Sequence, residues 1–466
     1  MFEDCVSALQ ASLGAAVLSG DAVPERHYSD ATGHAPCRPL AVIRPISTEQ
    51  VSTAMRLCHA HRCPVIPQGG MTGLAGGAVP TSNSIALSLE RLIGATKVDT
   101  AAGTLTAWAG MTLEATQHAA ESAGLCYPVD LGARGSCQIG GNIATNAGGH
   151  AVVRHGMTRD QVLGLEVVLA DGRVLNLMNS MIKNNAGYDL KQHFIGSEGT
   201  LGIITRAVLR LEPALGDTHT VLCAAVDYPG VVKLLRRLRG SGLSLEAFEV
   251  MWQDFYAMSC NWLAMAPPLD AGLPLYVLCE LEGDESRLQG ILELSMAERE
   301  ISDAVVAGSK AQARQLWKIR EATAEFPSRL APINFDISLP IGIIGEFAAA
   351  ICESLNERWP GCRSAFFGHI GDSNLHLTVD GNSLPVNDAA AHHAIESLVY
   401  DLVGKRGGSI SAEHGIGLLK REFLRHSVTD ESLTVMRAIK HALDPRGILN
   451  PGKIFTSEPI TMSALA

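Results

Sequence analysis

The sequence of 466 residues lacks any apolar run of the roughly 20 residues that are needed to span a bilayer. It also lacks a basic cluster beyond the short stretch Arg236-Arg237-Leu238-Arg239, and its 37 Lys and Arg are outnumbered by 48 Asp and Glu. Nucleic acids are polyanions that bind basic surfaces, so we expect no nucleic acid partner. Any contact with a membrane would be peripheral.

Patterns typical of secreted proteins are missing too. The 11 cysteines show no repeating spacing, and the N-terminal residues Met1-Phe2-Glu3-Asp4 begin neither a basic leader nor a long apolar stretch. Disulfide frameworks and secretory signals both have recognisable patterns of these kinds. We therefore expect a cytoplasmic protein with reduced thiols.

The loop Gly69–Gly77 contains five glycines but neither the G-x-G-x-x-G pattern of dinucleotide-binding folds nor the G-x-x-x-x-G-K-[ST] pattern of ATP-binding loops. Glycine permits positive φ angles, which let successive backbone N–H groups converge on an anion without any basic side chain. The loop could therefore hold a pyrophosphate. A merely tight turn would use the same glycines, and this segment alone does not separate the two interpretations.

A chain of this length exceeds one ordinary hydrophobic core, so we expect two or three domains. A strand over Pro39 to Pro45, a helix opened by the capping pattern Ser47-x-x-Gln50, and a strand over Pro64 to Pro67 lead into the glycine-rich loop. This mixture is typical of an α+β domain. After Pro213, strands such as Leu275 to Glu282 alternate with helices, which indicates a second domain.

Two further segments are rich in small residues, Asp130–Gly149 and Gly196–Gly202. Such segments can pack closely against flat or extended partners because many of their side chains are small or absent. Three loops of this kind in one domain predict one large ligand lying between them.

Histidines and a carboxylate form a second candidate site. In the segment His369-Ile370-Gly371-Asp372-Ser373-Asn374-Leu375-His376, a turn separates two imidazoles that a hairpin could bring to one ion, and Ser411-Ala412-Glu413-His414-Gly415 adds a carboxylate. His/His/Glu is a ligand set that leaves positions open for a substrate, and it suits Zn or a similar divalent ion. From the spacing alone, ordinary polar roles for these residues are the more common outcome.

The three small-residue loops resemble the FAD-binding domain of the PCMH or vanillyl-alcohol oxidase flavoprotein superfamily, and the similarity extends over about Ala41 to Phe455. Within it, the segments Pro67–Gly73, Asp130–Ala133 and Asn185–Gln192 most resemble the D-2-hydroxyglutarate dehydrogenases, followed by the D-lactate dehydrogenases. The resemblance implies an α+β fold with a two-subdomain PCMH-type FAD-binding domain and a ferredoxin-like substrate or cap domain.

The same resemblance implies a domain order along the chain. We expect an N-terminal segment over 1–36, the FAD-binding domain over 37–213, the substrate or cap domain with the metal site over 214–433, and a C-terminal segment over 434–466 that returns to the FAD-binding domain.

The resemblance also implies the residues that contact FAD. They are Pro67, Gly69, Gly70, Met71, Thr72, Gly73, Gly76, Asp130, Ser136, Gly140, Gly141, Asn142, Thr145, Asn146, Gly148, Gly199, Ile203 and Asn450. Relatives that attach FAD covalently use His or Cys in these loops, whereas the first loop here has Met71 and Thr72. We therefore expect noncovalent FAD.

For the second site, the resemblance implies that His369, His376 and Glu413 bind a divalent metal, expected to be Zn, and that His414 is the catalytic base. A 2-hydroxy acid can chelate a divalent ion through its hydroxyl and carboxylate, and the cation lowers the pKa of the hydroxyl. If residues 413 and 414 lie on an extended segment, their side chains point to opposite sides. Glu413 would then face the metal while His414 reaches the substrate.

This sequence matches the substrate-binding positions of the hydroxyglutarate enzymes only in part. Arg320 matches their substrate Arg, Thr323 stands one position short of the expected spacing, and Asn334 occupies the place of a substrate-binding Lys. Asn374 is a candidate donor to the substrate carboxylate. Arg320 could instead form a structural surface ion pair, as a single Arg on a helix commonly does.

These expectations together describe an FAD- and metal-dependent oxidation of a D-2-hydroxy acid, with D-2-hydroxyglutarate as the leading substrate. D-lactate or another D-2-hydroxy acid, and a flavin subunit that works only within a larger oxidoreductase, are the alternatives. An oxidase that uses O2 would lack the His/His/Glu set. The resemblance implies an electron-transfer flavoprotein or a quinone as the electron acceptor, and it leaves a homodimer open.

Overall fold

The computed structural model describes residues 2–94 and 96–456 and divides into two compact units. Unit 1 comprises the described residues up to Gly148, Gly156–Ala214 and those from Glu413 onwards, and unit 2 comprises Gly149–His155 and Leu215–Ala412. The chain therefore re-enters unit 1 at Glu413, earlier than the expected position 434. Within the described residues, no helix has the length and hydropathy that crossing a bilayer requires.

The helices and strands are numbered separately in chain order. The α-helices are α1 (Phe2–Leu13), α2 (Thr48–Ala60), α3 (Leu113–Glu121), α4 (Ile139–Thr145), α5 (Val152–His155), α6 (Thr158–Gln161), α7 (Lys191–Phe194), α8 (Tyr228–Arg239), α9 (Gln253–Trp262), α10 (Glu285–Ala297), α11 (Lys310–Arg320), α12 (Phe326–Arg329), α13 (Ile344–Arg358), α14 (Ala389–Lys405) and α15 (Asp430–Leu443). The β-strands are β1 (Val17–Ser19), β2 (Ala41–Ile43), β3 (Val65–Gln68), β4 (Ile85–Ser88), β5 (Lys97–Asp99), β6 (Thr104–Trp108), β7 (Leu125–Cys126), β8 (Val162–Val168), β9 (Val174–Leu177), β10 (Ile203–Arg210), β11 (Glu212–Pro213), β12 (Thr218–Ala225), β13 (Ser244–Trp252), β14 (Leu275–Glu282), β15 (Ile301–Val306), β16 (Pro332–Ser338), β17 (Ser364–Gly368) and β18 (Asn374–Asp380).

Unit 1 contains two larger sheets, as expected for a two-subdomain α+β fold. The first has the strand order β1-β2-β4-β3, in which β4 pairs in parallel with both β2 and β3. The second has the order β5-β6-β10-β8-β9 and is antiparallel. The N-terminal segment belongs to this unit because β1 pairs with β2 and α1 packs on α2.

Local sequence accounts for the βαβ start of unit 1. The Ser47 side chain accepts a hydrogen bond from the Gln50 N–H and so caps α2, as the capping pattern predicts. The Gln50 side chain accepts from the N–H of Ile46 (2.9 Å), one residue before the cap. Val51, Met55 and other apolar residues of α2 are buried against the sheet, which fixes the helix on one face.

Unit 2 is built on one antiparallel sheet of seven strands, in the order β15-β12-β14-β13-β17-β18-β16. Its first four strands in the chain, β12 to β15, lie in the order 4-1-3-2, with α8 after the first and α10 after the third. This arrangement is the split βαβ of ferredoxin-like folds, so that expectation is confirmed. Strands β16 to β18 extend the sheet beyond β13.

The C-terminal part of unit 1 is held by a buried ion pair. The Lys440 ammonium on α15 lies 2.5 Å from the Asp444 carboxylate and also donates to the carbonyl oxygens of Thr200 and Leu449. Asp444 in turn accepts from the N–H groups of Ile448 and Leu449. These residues then pair with β3 through a parallel bridge between Val65 and Leu449.

We expect Lys440→Met to destabilise the protein by about 3 kcal/mol, because it leaves the buried Asp444 carboxylate without its cation. Thermal and urea unfolding of the apoprotein measure this loss. Lys405→Met is the matched control, since Lys405 forms an exposed ion pair of the same spacing with Asp401 and should cost less than about 0.5 kcal/mol. Equal stability of the two variants would contradict a supporting role for the Lys440–Asp444 pair.

Candidate functional site

A cavity of about 430 Å³ lies within unit 1 and is bordered by all three small-residue loops. The loop after β3 forms one wall, residues 131–148 form a second, and residues 198–204 at the start of β10 form a third. Glu413 and His414 complete the border. The structure thus brings the three loops around one ligand-sized space, together with the residue expected to be the base.

Most residues expected to contact FAD line this cavity. They are Pro67, Gly69, Gly70, Met71, Thr72, Gly73, Gly140, Gly141, Asn142, Thr145, Gly148, Gly199 and Ile203. The cavity lining does not include Gly76, Asp130, Ser136, Asn146 and Asn450.

Three of the residues outside the lining bind other parts of the loops. Asp130 forms an ion pair with Arg134 (3.0 Å), and the Asn146 side chain accepts from the N–H of Arg159 (2.9 Å). Asn450 donates to the carbonyl oxygens of Gly77 (3.0 Å) and Glu198 (2.7 Å). Sequence patterns alone do not distinguish such supporting residues from residues that touch a ligand.

Backbone N–H groups of the first loop are available to a ligand. Within the described residues, no N–H from Gly69 to Gly77 donates a hydrogen bond to another part of the protein. Met71 and Gly76 both have positive φ angles, +60° and +74°, which turn the backbone within the loop. Unpaired N–H groups in a turn are a suitable binding site for an anion such as a pyrophosphate, so the residues present fit a dinucleotide.

Close packing between loops explains why glycine is required at the cavity wall. A Cβ at Gly70 would overlap the carbonyl oxygen of Ser136, whereas a Cβ at Gly141 would meet nothing within 4 Å. Gly70 therefore allows two backbones to touch, and Gly141 leaves open space beside the cavity. A flat ligand can enter a space of this kind.

The segment that carries Glu413 and His414 is bent at both residues and belongs to no strand. The extended segment expected at these residues is therefore wrong. The chain just after the bend is held by Glu198, whose two carboxylate oxygens accept from the N–H groups of Ile416 and Gly417, each at 2.8 Å. Burial raises the pKa of Glu198, although these two N–H groups and two nearby lysines oppose the shift.

In unit 2, the sheet places His376 and Asn374 on one face, because they are two residues apart on β18. Strand pairing sets His376 opposite Asp336 and Asn374 opposite Ser338, and residues directly opposite each other share a face. His369 lies just after β17, and its ring centroid is 5.3 Å from that of His376. The turn between β17 and β18 thus brings the two imidazoles together, as the sequence predicts.

A fully buried carboxylate, Glu249 on β13, connects two of the predicted residues. One of its oxygens lies 2.5 Å from Nδ1 of His369, and the other accepts from Nε of Arg320 at 2.7 Å. Burial raises the pKa of Glu249, but the adjacent His369 and Arg320 outweigh that effect and hold the pKa well below its usual range. A metal would then bind His369 through Nε2, because Nδ1 faces Glu249.

Arg320 does form an ion pair, with Glu249, but it is only 8% exposed, so the expected surface location of such a pair is wrong. Its guanidinium also lies over the Phe367 ring, 4.8 Å from the centroid. The Nε–Glu249 contact fixes the orientation of the group. The remaining guanidinium N–H groups are the ones that a substrate carboxylate would use.

The other predicted substrate residues are held to different degrees. Asn374 is buried and donates one amide N–H to Asp336 (2.6 Å). Asn334 is exposed and accepts from the Thr378 hydroxyl (2.8 Å), and Thr323 is half-buried in the 3₁₀ turn Glu321–Glu325.

Sequence reasoning did not identify Glu198 or Glu249 as site residues. Glu198 stands among small residues in the third loop, and its position there was the one available signal. Glu249 is 120 residues from His369 in the chain, so no local pattern connects the two. Asp30, which also borders the cavity, precedes the first predicted strand and had no signal at all.

Comparisons with known proteins agree with this geometry. Residues 39–178 match the family described as FAD binding domain, and residues 216–454 match the family described as FAD linked oxidases, C-terminal domain.

Relatives with high similarity share one name. The D-2-hydroxyglutarate dehydrogenase of Xanthomonas citri pv. viticola is 40% identical over 463 residues, which cover 98% of each chain. That of Stutzerimonas stutzeri is 36% identical over 92% of this chain and 93% of its own. The mitochondrial D-2-hydroxyglutarate dehydrogenase of Bos taurus is 38% identical over 89% of this chain and 76% of its own.

Solved structures support the fold. An alkyldihydroxyacetonephosphate synthase superposes with a TM-score of 0.74 at 18% identity, over 97% of this chain and 86% of its own. The 4-ethylphenol oxidase of Gulosibacter chungangensis gives a TM-score of 0.72 at 19% identity, over 98% of each chain. The fold, the family matches and the relatives agree, and the chain belongs to the FAD linked oxidases.

Proposed function

We propose that this FAD-dependent dehydrogenase oxidises D-2-hydroxyglutarate to 2-oxoglutarate. The observation that carries the proposal is the cavity of unit 1, where a run of unpaired backbone N–H groups and His414 border the same space. The N–H groups supply an anion site for the cofactor, and the imidazole supplies a base beside it. The name shared by the relatives supports the choice of substrate.

The reaction removes two hydrogens from the substrate. Bound FAD would supply the acceptor for the hydride that leaves C2, and we expect the residues that line the unit 1 cavity to hold it without a covalent bond. His414 takes the proton of the C2 hydroxyl, so that a C2=O double bond replaces the C2–H and O–H bonds. The His414 imidazole then carries this proton as an imidazolium cation, and the electron pair of the C2–H bond leaves with the hydride.

We further propose that His369, His376 and Glu413 bind a divalent metal ion, expected to be Zn. Two neighbouring imidazoles and a carboxylate are a donor set typical of catalytic zinc sites. Glu413 follows Ala412 directly in the chain, and the Ala412 N–H donates to the carbonyl oxygen of Asp336, the strand partner of His376. The ion, when bound, would lower the pKa of the substrate hydroxyl.

Arg320, Thr323, Asn334 and Asn374 remain our candidates for holding the substrate carboxylates. Arg320 is a buried cation that Glu249 holds in a fixed orientation, which suits a carboxylate ligand. Asn334 brings no charge to the place where the hydroxyglutarate enzymes have Lys. This observation favours D-lactate or another D-2-hydroxy acid as the second candidate substrate.

We also propose an electron acceptor, an assembly state and a location for this protein. We expect an electron-transfer flavoprotein or a quinone to reoxidise the flavin, and assembly as a homodimer is compatible with the proposal. The 11 cysteines all lie in the described residues and form no disulfide there, which suits a reducing compartment such as the cytoplasm.

Anaerobic bleaching of the flavin absorbance tests the reaction directly. We expect D-2-hydroxyglutarate, but not its L-enantiomer, to bleach the flavin, and prior chelation to abolish bleaching until Zn is restored. Bleaching by D-lactate alone would show that D-lactate is the substrate and would leave the proposed reaction unchanged. A flavin that no hydroxy acid reduces would instead indicate a subunit of a larger complex, and rapid peroxide formation in air would indicate an oxidase.

For His414→Ala we expect flavin reduction to slow by roughly 100- to 10,000-fold, because the substrate proton has lost its acceptor. Stopped-flow absorbance measures the rate, and FAD and metal contents serve as controls that the site is otherwise intact. A wild-type rate with both contents unchanged would show that His414 is not the base.

Glu249→Gln tests whether the buried carboxylate orients the metal-binding histidine. An amide bears no charge and binds His369 more weakly, so we expect Zn affinity to fall by roughly 10- to 100-fold. Competition with a chromophoric chelator measures the affinity. The exposed Glu293→Gln on α10 is the control, and equal affinities in the two variants would argue against this role.

A further inference from the structure

The loop that follows His414 has little hydrogen bonding of its own beyond one turn, in which the Lys420 N–H donates to the Ile416 carbonyl oxygen (3.0 Å). Residues 413–419 form bends and turns between Ala412 and the next short turn, with no helix or strand. A loop of this kind holds a side chain in one position only if other parts of the protein bind it. The position of His414 therefore depends on contacts between this loop and the rest of unit 1.

One contact is the carboxylate of Glu198. Its oxygens accept separately from two consecutive backbone N–H groups, those of Ile416 and Gly417, each at 2.8 Å. Hydrogen bonds to a charged acceptor are stronger than those between neutral groups, and two acting together fix both position and orientation. Glu198 therefore binds the loop two and three residues after His414.

A second contact comes from the first small-residue loop. The Ala75 carbonyl oxygen accepts from the N–H groups of Leu418 (2.9 Å) and Leu419 (3.2 Å). Further along the chain, the Ile454 N–H donates to the carbonyl oxygen of Gly417 (3.0 Å). The loop is thus fixed mainly by neutral backbone bonds, and Glu198 contributes the one charged acceptor among these contacts.

Two glycines of the loop allow its close contacts with Glu198 and Ala75. Gly415 has a φ of +80°, and a Cβ there would come within 2.8 Å of a Glu198 carboxylate oxygen. Gly417 has a φ of +50°, and a Cβ there would overlap the Ala75 carbonyl oxygen. Side chains at either position would separate the loop from its two contacts.

Glu198 itself is held in an uncommon conformation. Its φ of +52° lies in the left-handed region, which costs a non-glycine residue about 1 kcal/mol or more. The surrounding protein enforces it, because the Glu198 N–H donates to the Ala144 carbonyl oxygen and its own carbonyl oxygen accepts from Asn450. Ala144 borders the cavity as well. We interpret this backbone strain as the cost of directing the Glu198 side chain to the N–H groups of residues 416 and 417.

We infer that Glu198 is a positioning residue, which holds the loop of residues 413–417 so that His414 stands at the cavity in a reactive orientation. This inference rests on the proposed role of His414 as the base. Glu198 is poorly suited to be a base itself, because both of its oxygens already accept N–H groups. Its effect on the reaction passes through His414.

The variant that tests this role is Glu198→Gln in the FAD-loaded protein. Glutamine has one acceptor oxygen, and its amide nitrogen would face the second N–H, so one of the two bonds is lost. We expect flavin reduction by D-2-hydroxyglutarate to slow by roughly 10- to 100-fold, since small misplacements of a catalytic group have effects of this size. Backbone amides of residues 416 and 417 should exchange hydrogen for deuterium faster.

Glu166→Gln is the matched control. Glu166 in β8 is half-buried in the same unit and also accepts two hydrogen bonds, from the hydroxyls of Thr48 and Thr205. Hydroxyl groups can rotate to bind an amide. In Glu166→Gln, the rate of flavin reduction and the hydrogen exchange of residues 416 and 417 should therefore stay near those of the wild type. Both glutamine variants should retain FAD at wild-type stoichiometry.

A double-mutant cycle separates positioning from a general loss of structure. If Glu198 acts through His414, then Glu198→Gln should add little to the defect of His414→Ala. The inference is overturned if Glu198→Gln reduces its flavin at the wild-type rate, or if it slows the His414→Ala protein by the same factor as the wild type. Loss of FAD as the sole defect would also overturn it.

The cycle also distinguishes this inference from the proposed function. A wild-type rate in His414→Ala alone removes the base on which the inference rests, whatever Glu198→Gln does. If His414→Ala is slow and Glu198→Gln is unaffected, the role of His414 as the base is supported and only the positioning role of Glu198 is contradicted. Glu198→Asp provides a second variant, because it keeps two acceptor oxygens and should retain more activity than the glutamine variant.

Discussion

Backbone packs directly against backbone in unit 1, since a Cβ at Gly70 would overlap the Ser136 carbonyl oxygen and one at Gly417 would overlap that of Ala75. Loops that meet in this way cannot fill the space between them with side chains, so a cavity remains, bordered by unpaired N–H groups. A bound anion would pair with these N–H groups, and a ligand that binds only the folded state adds to the stability of this unit as well as to its chemistry.

Unit 2 depends on a different arrangement, in which buried charges satisfy one another. Glu249 is fully buried, yet it lies between the His369 imidazole and the Arg320 guanidinium. An isolated carboxylate at that depth would be strongly unfavourable, whereas a paired one fixes the orientation of both neighbours. The seven-stranded sheet makes this pairing possible because β13 and β17 are neighbours.

Much of this architecture could be predicted from the sequence because its signals are local. The strand Leu275–Glu282, the capped helix α2 and the hairpin that joins His369 and His376 all depend on neighbouring residues. The contacts of Glu198 and Glu249 could not be predicted. They connect residues far apart in the chain through strand order and loop packing, which a single sequence does not specify. The bend at Glu413 escaped prediction as well, since the residues that follow it are held by Glu198, which is more than 200 positions away in the chain.

The pairing of β3 with residues 448–450 has a consequence for how the protein is made. The N–H of Val65 donates to the Ile448 carbonyl oxygen, and the N–H of Asn450 donates to that of Val65. A ribosome synthesises Val65 long before these partners, so the first sheet keeps an open edge during most of translation. Unpaired strand edges invite association with other chains. This edge of the first sheet is thus completed late, and until residues 448–450 are made the exposed strand β3 is a place where the growing chain can associate with others.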